Sequence, residues 1–294
     1  MDNHAARAPA SELALVALAA AAFATASPLA KVAHGIGFGP MAAGRCAVAA
    51  VGLLLVTRGG TWQALGKLDG KRRLALVGAG VLLAAHFALF LGGLLATSLA
   101  AAAALVSLEP LAVVVAAWVA FGERPTKREG VGLWIAMVGA AVVARGAGQG
   151  EHRLLGDALV LGAVALFGVY VAFARGLREA MPTTSYAASV YTVATLALAP
   201  IAVLTAGESL GAPVGSWMAV LGLGLVPTLV GHTLVQRAAR HVPASIVALA
   251  CPGETVGSIL IGAAMGRAPT GTEWAGAMLV VIGATVAVLG RERT

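Results

Sequence analysis

Charge is scarce in this chain. Of its 294 residues only 11% are Asp, Glu, Lys or Arg, against roughly 25% in an ordinary soluble domain. With 59% of the residues hydrophobic, a soluble fold would lack the polar surface to cover its apolar one, and a bilayer is the natural solvent. Cysteine is scarcer still. Cys46 and Cys251 both lie in apolar segments, which argues against a secreted disulfide framework. No His-x-x-x-His or Cys-x-x-Cys spacing occurs, so no metal site and no cofactor are expected. Nothing resembles a nucleophile–base pair, so an enzyme is not expected. The net charge is +7, but the basic residues are scattered and form no run with interleaved aromatics. That argues against nucleic acid as a partner.

What the chain has is apolar length. A spanning helix needs about 20 mostly apolar residues, and that ruler gives ten spans: 13–30, 40–57, 74–95, 99–121, 130–146, 154–174, 186–206, 217–235, 244–266 and 274–290. From Leu74 to Gly122 only His86 and Glu109 interrupt the apolar run. That stretch is too long for one crossing, and Gly92-Gly93 with Thr97-Ser98 is expected to hold the turn. Leu13 to Ala26 has the look of a signal peptide, but a single Arg7 flanks it against Asp2 and Glu12. It is expected to remain as the first span. With ten spans, fifteen of the twenty Lys and Arg fall on the side of the termini and four on the other, with Arg45 inside a span. The positive-inside rule then places both termini in the cytoplasm. The same basic excess suits contact with anionic lipid.

The chain also repeats itself. Pro125 to Gly146 matches Pro269 to Gly290 at an offset of 144, aligning Glu129 with Glu273 and Gly132, Gly139 and Gly146 with Gly276, Gly283 and Gly290. Upstream, Glu109 pairs with Glu254 and His86 with His232, at offsets of 145 and 146. The expectation is an all-α integral membrane protein of ten helices, built as two five-helix repeats over residues 12–148 and 154–290. Five spans per repeat is odd, so the second copy enters from the opposite face and the repeats are inverted, a route to alternating access.

Two residues stand at the centre of this pattern. Glu109 and Glu254 are each the eleventh residue of a 23-residue span, about 15 Å from either end at 1.5 Å per residue. A carboxylate there costs at least about 2.5–3.5 kcal/mol, so neither is expected to face lipid. Each neighbours a helix breaker, Pro110 or Pro252, and broken helices build transport sites. Against this stands a buried Glu that only braces two helices. His86 and His232 read two ways as well, as packing residues or as partners of the carboxyls in a proton relay. Lys31, at the end of the first span, and Arg45, early in the second, either snorkel to the outer surface or form an outer-mouth cation site for an acidic substrate group. The glycine rows at heptad spacing are expected to be packing surfaces.

Several motifs carry a resemblance. The first half has Ala85-His86-Phe87, Thr97-Ser98, Ser107-Leu108-Glu109-Pro110 and Phe121-Gly122-Glu123-Arg124-Pro125-Thr126. The second has Pro227-Thr228 through Gly231-His232-Thr233, then Val242-Pro243-Ala244-Ser245 and Gly253-Glu254-Thr255-Val256-Gly257. In this order, over residues 12–290, they resemble the drug/metabolite transporter superfamily in its EamA-like branch of bacterial inner-membrane carriers. Lys31 and Arg45 match that family's usual Lys and Arg. The sequence departs from the pattern at Thr255, where the family has proline, at Gly266-Arg267 in place of Gly-Glu, and at Ser189, which faces Arg45 across the repeat.

The resemblance implies an inner-membrane secondary transporter that exports amino acids or similar small polar metabolites, as a monomer or homodimer, with a proton as a possible second substrate. A multidrug carrier, a nucleoside or sugar-conjugate carrier, and a non-transporting structural subunit are the alternatives.

Overall fold

The computed structural model describes residues 10–146, 148–173, 177, 180–207, 209–238 and 250–290. Among these residues every regular element is helical. Eight helices are long and apolar enough to cross a membrane: α1 (Leu13–Val32), α2 (Phe38–Thr57), α3 (Gly70–Ala96), α4 (Leu99–Phe121), α6 (Leu154–Phe173), α7 (Thr183–Leu204), α8 (Val214–Leu234) and α10 (Gly271–Leu289). Between them lie α5 (Lys127–Ala144) and α9 (Ala250–Ala264). Helix α5 opens on three charged residues, Lys127, Arg128 and Glu129, which lower its apolar content. The described part of α9 is 15 residues, and residues 239–249, with the Val242–Ser245 motif, lie outside the description.

Local chemistry sets the helix ends. Asp69 caps α3, its side chain accepting from the Arg72 N–H at 2.8 Å, so α3 begins four residues before its apolar run. Thr126 and Glu129 close a capping box on α5. Thr270 and Glu273 make the same reciprocal contacts on α10, at 2.8 and 3.3 Å. The turn between α3 and α4 falls at Thr97, with Ser98 as the cap of the next helix. Gly92 and Gly93 stay helical. Their role is approach, since a Cβ on Gly93 would lie 2.8 Å from the Gly156 carbonyl of α6.

The helices pack in pairs that map onto one another when the halves are exchanged. α2 lies against α7 and α5 against α10; α3 and α4 pack on α6, as α8 and α9 pack on α1. The glycine rows form the α5–α10 contact. A Cβ on Gly139 would sit 2.6 Å from the Val280 nitrogen, and one on Gly276 would sit 2.6 Å from the Val143 nitrogen. Only small residues allow that approach.

Five inter-helix junctions meet at one end of the molecule. Lys31, closing α1, donates to the Thr97 carbonyl between α3 and α4 at 2.7 Å and to Glu151 between α5 and α6 at 3.2 Å. Glu151 also accepts from Arg267 between α9 and α10 at 2.5 and 2.7 Å. The Gly37 amide, before α2, donates to Ser209 between α7 and α8 at 3.0 Å.

Candidate functional site

Three helices depart from regular geometry in mid-bundle, each beside a proline. Pro28 has no N–H for the carbonyl of Ala24, four residues earlier. The Ser258 hydroxyl of α9 supplies that bond instead, at 2.9 Å, and α1 is split between Ala24 and Ala26. Pro227 likewise strips Leu223 of its donor. Residues Gly224–Gly231 widen into a π-helix, and the Thr228 hydroxyl donates to the Leu223 carbonyl at 2.7 Å. Such widened turns are common at functional positions.

In α4 the helix stops at Val106 and restarts at Glu109, with Pro110 in the new first turn. The Ser107 amide bonds to the Ala104 carbonyl, a tightened turn that leaves the Ala103 carbonyl without its usual helical donor. Thr255 of α9 fills the gap, donating to Ala103 at 2.9 Å, and its oxygen meets the Ser107 hydroxyl. Thr255 thus ties the two Glu-bearing helices together. Pro252 is buried in the first described turn of α9.

These breaks position the charged groups. Glu109 is the first residue of the restarted helix, where the exposed amides favour an anion. Its Oε1 lies 3.8 Å from His86 Nε2. The other ring nitrogen of His86, Nδ1, is 2.9 Å from the Ala163 carbonyl of α6, and Phe87, Phe90 and Phe167 surround the imidazole at 5.0–6.3 Å. The structure therefore brings His86 and Glu109 together. Glu254 is half-buried on α9 and feels the charge of Arg45; Glu109 feels both Arg45 and Glu254. His232 of α8 packs edge-on against Phe23 at 5.2 Å and Tyr191 at 6.1 Å.

Arg45 departs from the expectation of a side chain that snorkels to the surface. It is 4% exposed and does not snorkel. Its Nε and Nη2 donate to Thr228 Oγ1 at 3.1 and 3.0 Å, and its guanidinium stands 4.2 Å over the Phe87 ring. The thiol of Cys46, the Tyr191 ring and both glutamates share its surroundings. The π-turn explains the placement: with its proton on Leu223, the Thr228 oxygen has lone pairs left for the arginine. Lys31 does lie at the junction end, buried to 8% exposure, where it binds Thr97 and Glu151.

Sequence reasoning missed two features of this region. The Glu151 bridge joins three junctions. Burial works against its charge, but the hydrogen bond and charge of Lys31, with Arg267 beside it, hold the carboxyl below the usual carboxylate range. Beneath the bridge, His152 and Asp157 are buried together 2.7 Å apart. Asp157 is the one acidic residue inside an otherwise apolar span, which is itself a signal of function.

A cavity of about 1040 Å³ lies between α4, α5 and α6, from Leu108 to Phe121 and Phe173. Its lining is apolar and holds none of the charged residues above. It begins beside Glu109 but is not the polar site.

The sequence profile of the EamA-like transporter family matches residues 10–145 and again residues 154–289. No curated protein matches. A protein of known crystal structure is similar over 97% of this chain and 99% of its own, with a TM-score of 0.64 and 20% identity. At that identity the likeness speaks for the fold.

Proposed function

Because the chain belongs to the EamA-like transporter family, we propose that it is a secondary carrier of amino acids or closely related zwitterions, exporting them across an inner membrane by alternating access. The observation that carries this reading is the grouping of buried Arg45 with half-buried Glu109 and Glu254 beside three broken helices. A guanidinium matches a substrate carboxylate, and a carboxyl matches an ammonium. Arg45 Nη1 has no hydrogen-bond partner among the described residues, which leaves a donor for a ligand. Members of the family are transporters rather than enzymes.

The mechanism follows from the frame. Ten crossings in two inverted halves would place this site at the interface the halves share. The exchange symmetry of the helix pairs supports that topology, and so does the gathering of alternate junctions at one end. The distribution of Lys and Arg supports cytoplasmic termini. Rocking one half against the other would open the Lys31–Glu151–Arg267 end to the outside. Glu109 and His86 share one proton between them in this reading, and its movement drives the cycle.

The test is uptake into proteoliposomes of a labelled pool of amino acids and metabolites, with and without a pH gradient, for the wild type and for Glu109→Gln and Glu254→Gln. Gradient-accelerated amino-acid uptake, lost in Glu109→Gln, supports the whole reading. Gradient-independent uptake by all three proteins removes proton coupling. Uptake of nucleosides or lipophilic cations but no amino acid removes the substrate class.

A further inference from the structure

At the junction end, under the Glu151 bridge, lies a group of titratable side chains that the transport reading does not use. His152 sits in the loop before α6 and is 0% exposed. Its Nε2 is 2.7 Å from Asp157 Oδ2. Its Nδ1 faces Glu273 Oε1 at 3.4 Å and has no hydrogen-bond partner.

The seat is built to fit. A Cβ on Gly146 would lie 3.0 Å from His152 Nδ1, so glycine makes room for the ring. The Thr97 hydroxyl donates to Asp157 Oδ1 at 2.9 Å, and the Ser98 hydroxyl donates to Glu273 Oε1. Glu273 Oε2 accepts from the Thr270 amide and hydroxyl at 2.8 and 3.0 Å. Both carboxyls are thus acceptors in every contact they make. The cations of this end are engaged elsewhere: Lys31 with Thr97 and Glu151, Arg267 with Glu151, and Arg153 with the Gly150 and His152 carbonyls. Arg145, at the end of α5, is exposed. The charged groups that face the ring are therefore two carboxylates, one on α6 and one on α10.

A neutral imidazole has one N–H and can serve one of them. An imidazolium has two and can serve both. We propose that His152, Asp157 and Glu273 form a proton-binding site that latches this end of the protein, closed while His152 is protonated on both ring nitrogens. Through Ser98 and Glu273 the latch joins the first half of the chain to the second. Loss of the Nδ1 proton turns a lone pair toward Glu273 and releases α10 from the loop. Asp157 stays bonded to Nε2. The ligand is a proton from the solution on that side.

The experiment uses the full chain in lipid nanodiscs and measures no transport. Imidazole nitrogen resonances of ¹⁵N-histidine protein are followed from pH 6 to 8.5, with His152→Gln identifying the signal. Hydrogen exchange of residues 150–157 and 264–273 is measured in parallel. The expected result is a ring protonated on both nitrogens while the latch is closed. As it deprotonates, exchange protection in both segments falls about tenfold beyond the intrinsic pH effect, the size of losing one charge-assisted hydrogen bond. In His152→Gln, protection is low and flat with pH. A singly protonated ring across the whole range overturns the proposal, and so does the same pH-dependent loss in His152→Gln. Should that variant fail to fold, Glu273→Gln keeps one acceptor oxygen for the Thr270 cap and removes the charge facing Nδ1. It is expected to abolish the pH dependence, and an unchanged dependence overturns the proposal.

Discussion

Removing a single oxygen, that of Thr228, is expected to unseat Arg45. The hydroxyl donates to the Leu223 carbonyl, to which Pro227 cannot donate, and accepts two N–H groups from the buried guanidinium. Thr228→Val keeps the shape and deletes all three contacts. Hydrogen bonds to charged groups contribute about 1.5–3 kcal/mol each, whereas side-chain bonds between membrane helices average nearer 0.6 kcal/mol. Arg45 is 4% exposed and has no competing acceptor among the described residues, so the larger scale governs. At that scale the two guanidinium contacts and the Leu223 bond sum to about 4–7 kcal/mol, with Thr228→Ser within about 0.5 kcal/mol of wild type. Equilibrium unfolding in detergent, followed by the fluorescence of the five tryptophans, reads this directly. A double-mutant cycle with Arg45→Met isolates the cause. In that background Thr228→Val forfeits only the Leu223 bond, about 1 kcal/mol. If Thr228→Val costs the same with and without Arg45, the anchoring argument is refuted.

Other outcomes follow from the same structure. Arg45→Lys retains charge but cannot donate in a fork to Thr228 while stacking on Phe87; amino-acid uptake is expected to fall at least about tenfold, as transport kinetics would report. Gly139→Ala drives a methyl against the Val280 backbone nitrogen; it is expected to lower stability by about 1–3 kcal/mol, visible as a depressed melting temperature. Thr255→Val leaves the Ala103 carbonyl and Ser107 without a partner and is expected to cost about 1–3 kcal/mol, whereas Thr255→Ser is near neutral. The Glu151 bridge responds to acid. The carboxyl is depressed in the folded protein, so its contribution is full above the unfolded carboxylate value of about 4.3 and is lost as pH falls through the lower folded value. The melting-temperature gap between wild type and Glu151→Gln is therefore expected to be constant at neutral pH and to close only below about pH 4. Because the Glu151 side chain is 55% exposed, that gap corresponds to under about 1 kcal/mol.

The sequence alone determined the solvent, the length of most spans, the division into two matched halves and the family. Those properties depend on composition and on spacing along the chain, which folding does not alter. It also marked Glu109 and His86, because an ionisable group in apolar helix is conspicuous wherever it lies. It misread Arg45, since position in a span says how deep a Cα lies and not where a long side chain turns. That turn was set by Thr228, 183 residues away, and by the widening that Pro227 forces on its helix. It read Gly92-Gly93 as part of a turn, whereas Gly93 admits α6. It passed over His152 and Asp157, whose meaning depends on Glu273 from the other half arriving 3.4 Å from the ring. Local chemistry is written in order along the chain; the partners of a buried charge are chosen by packing, and only the tertiary structure decides them.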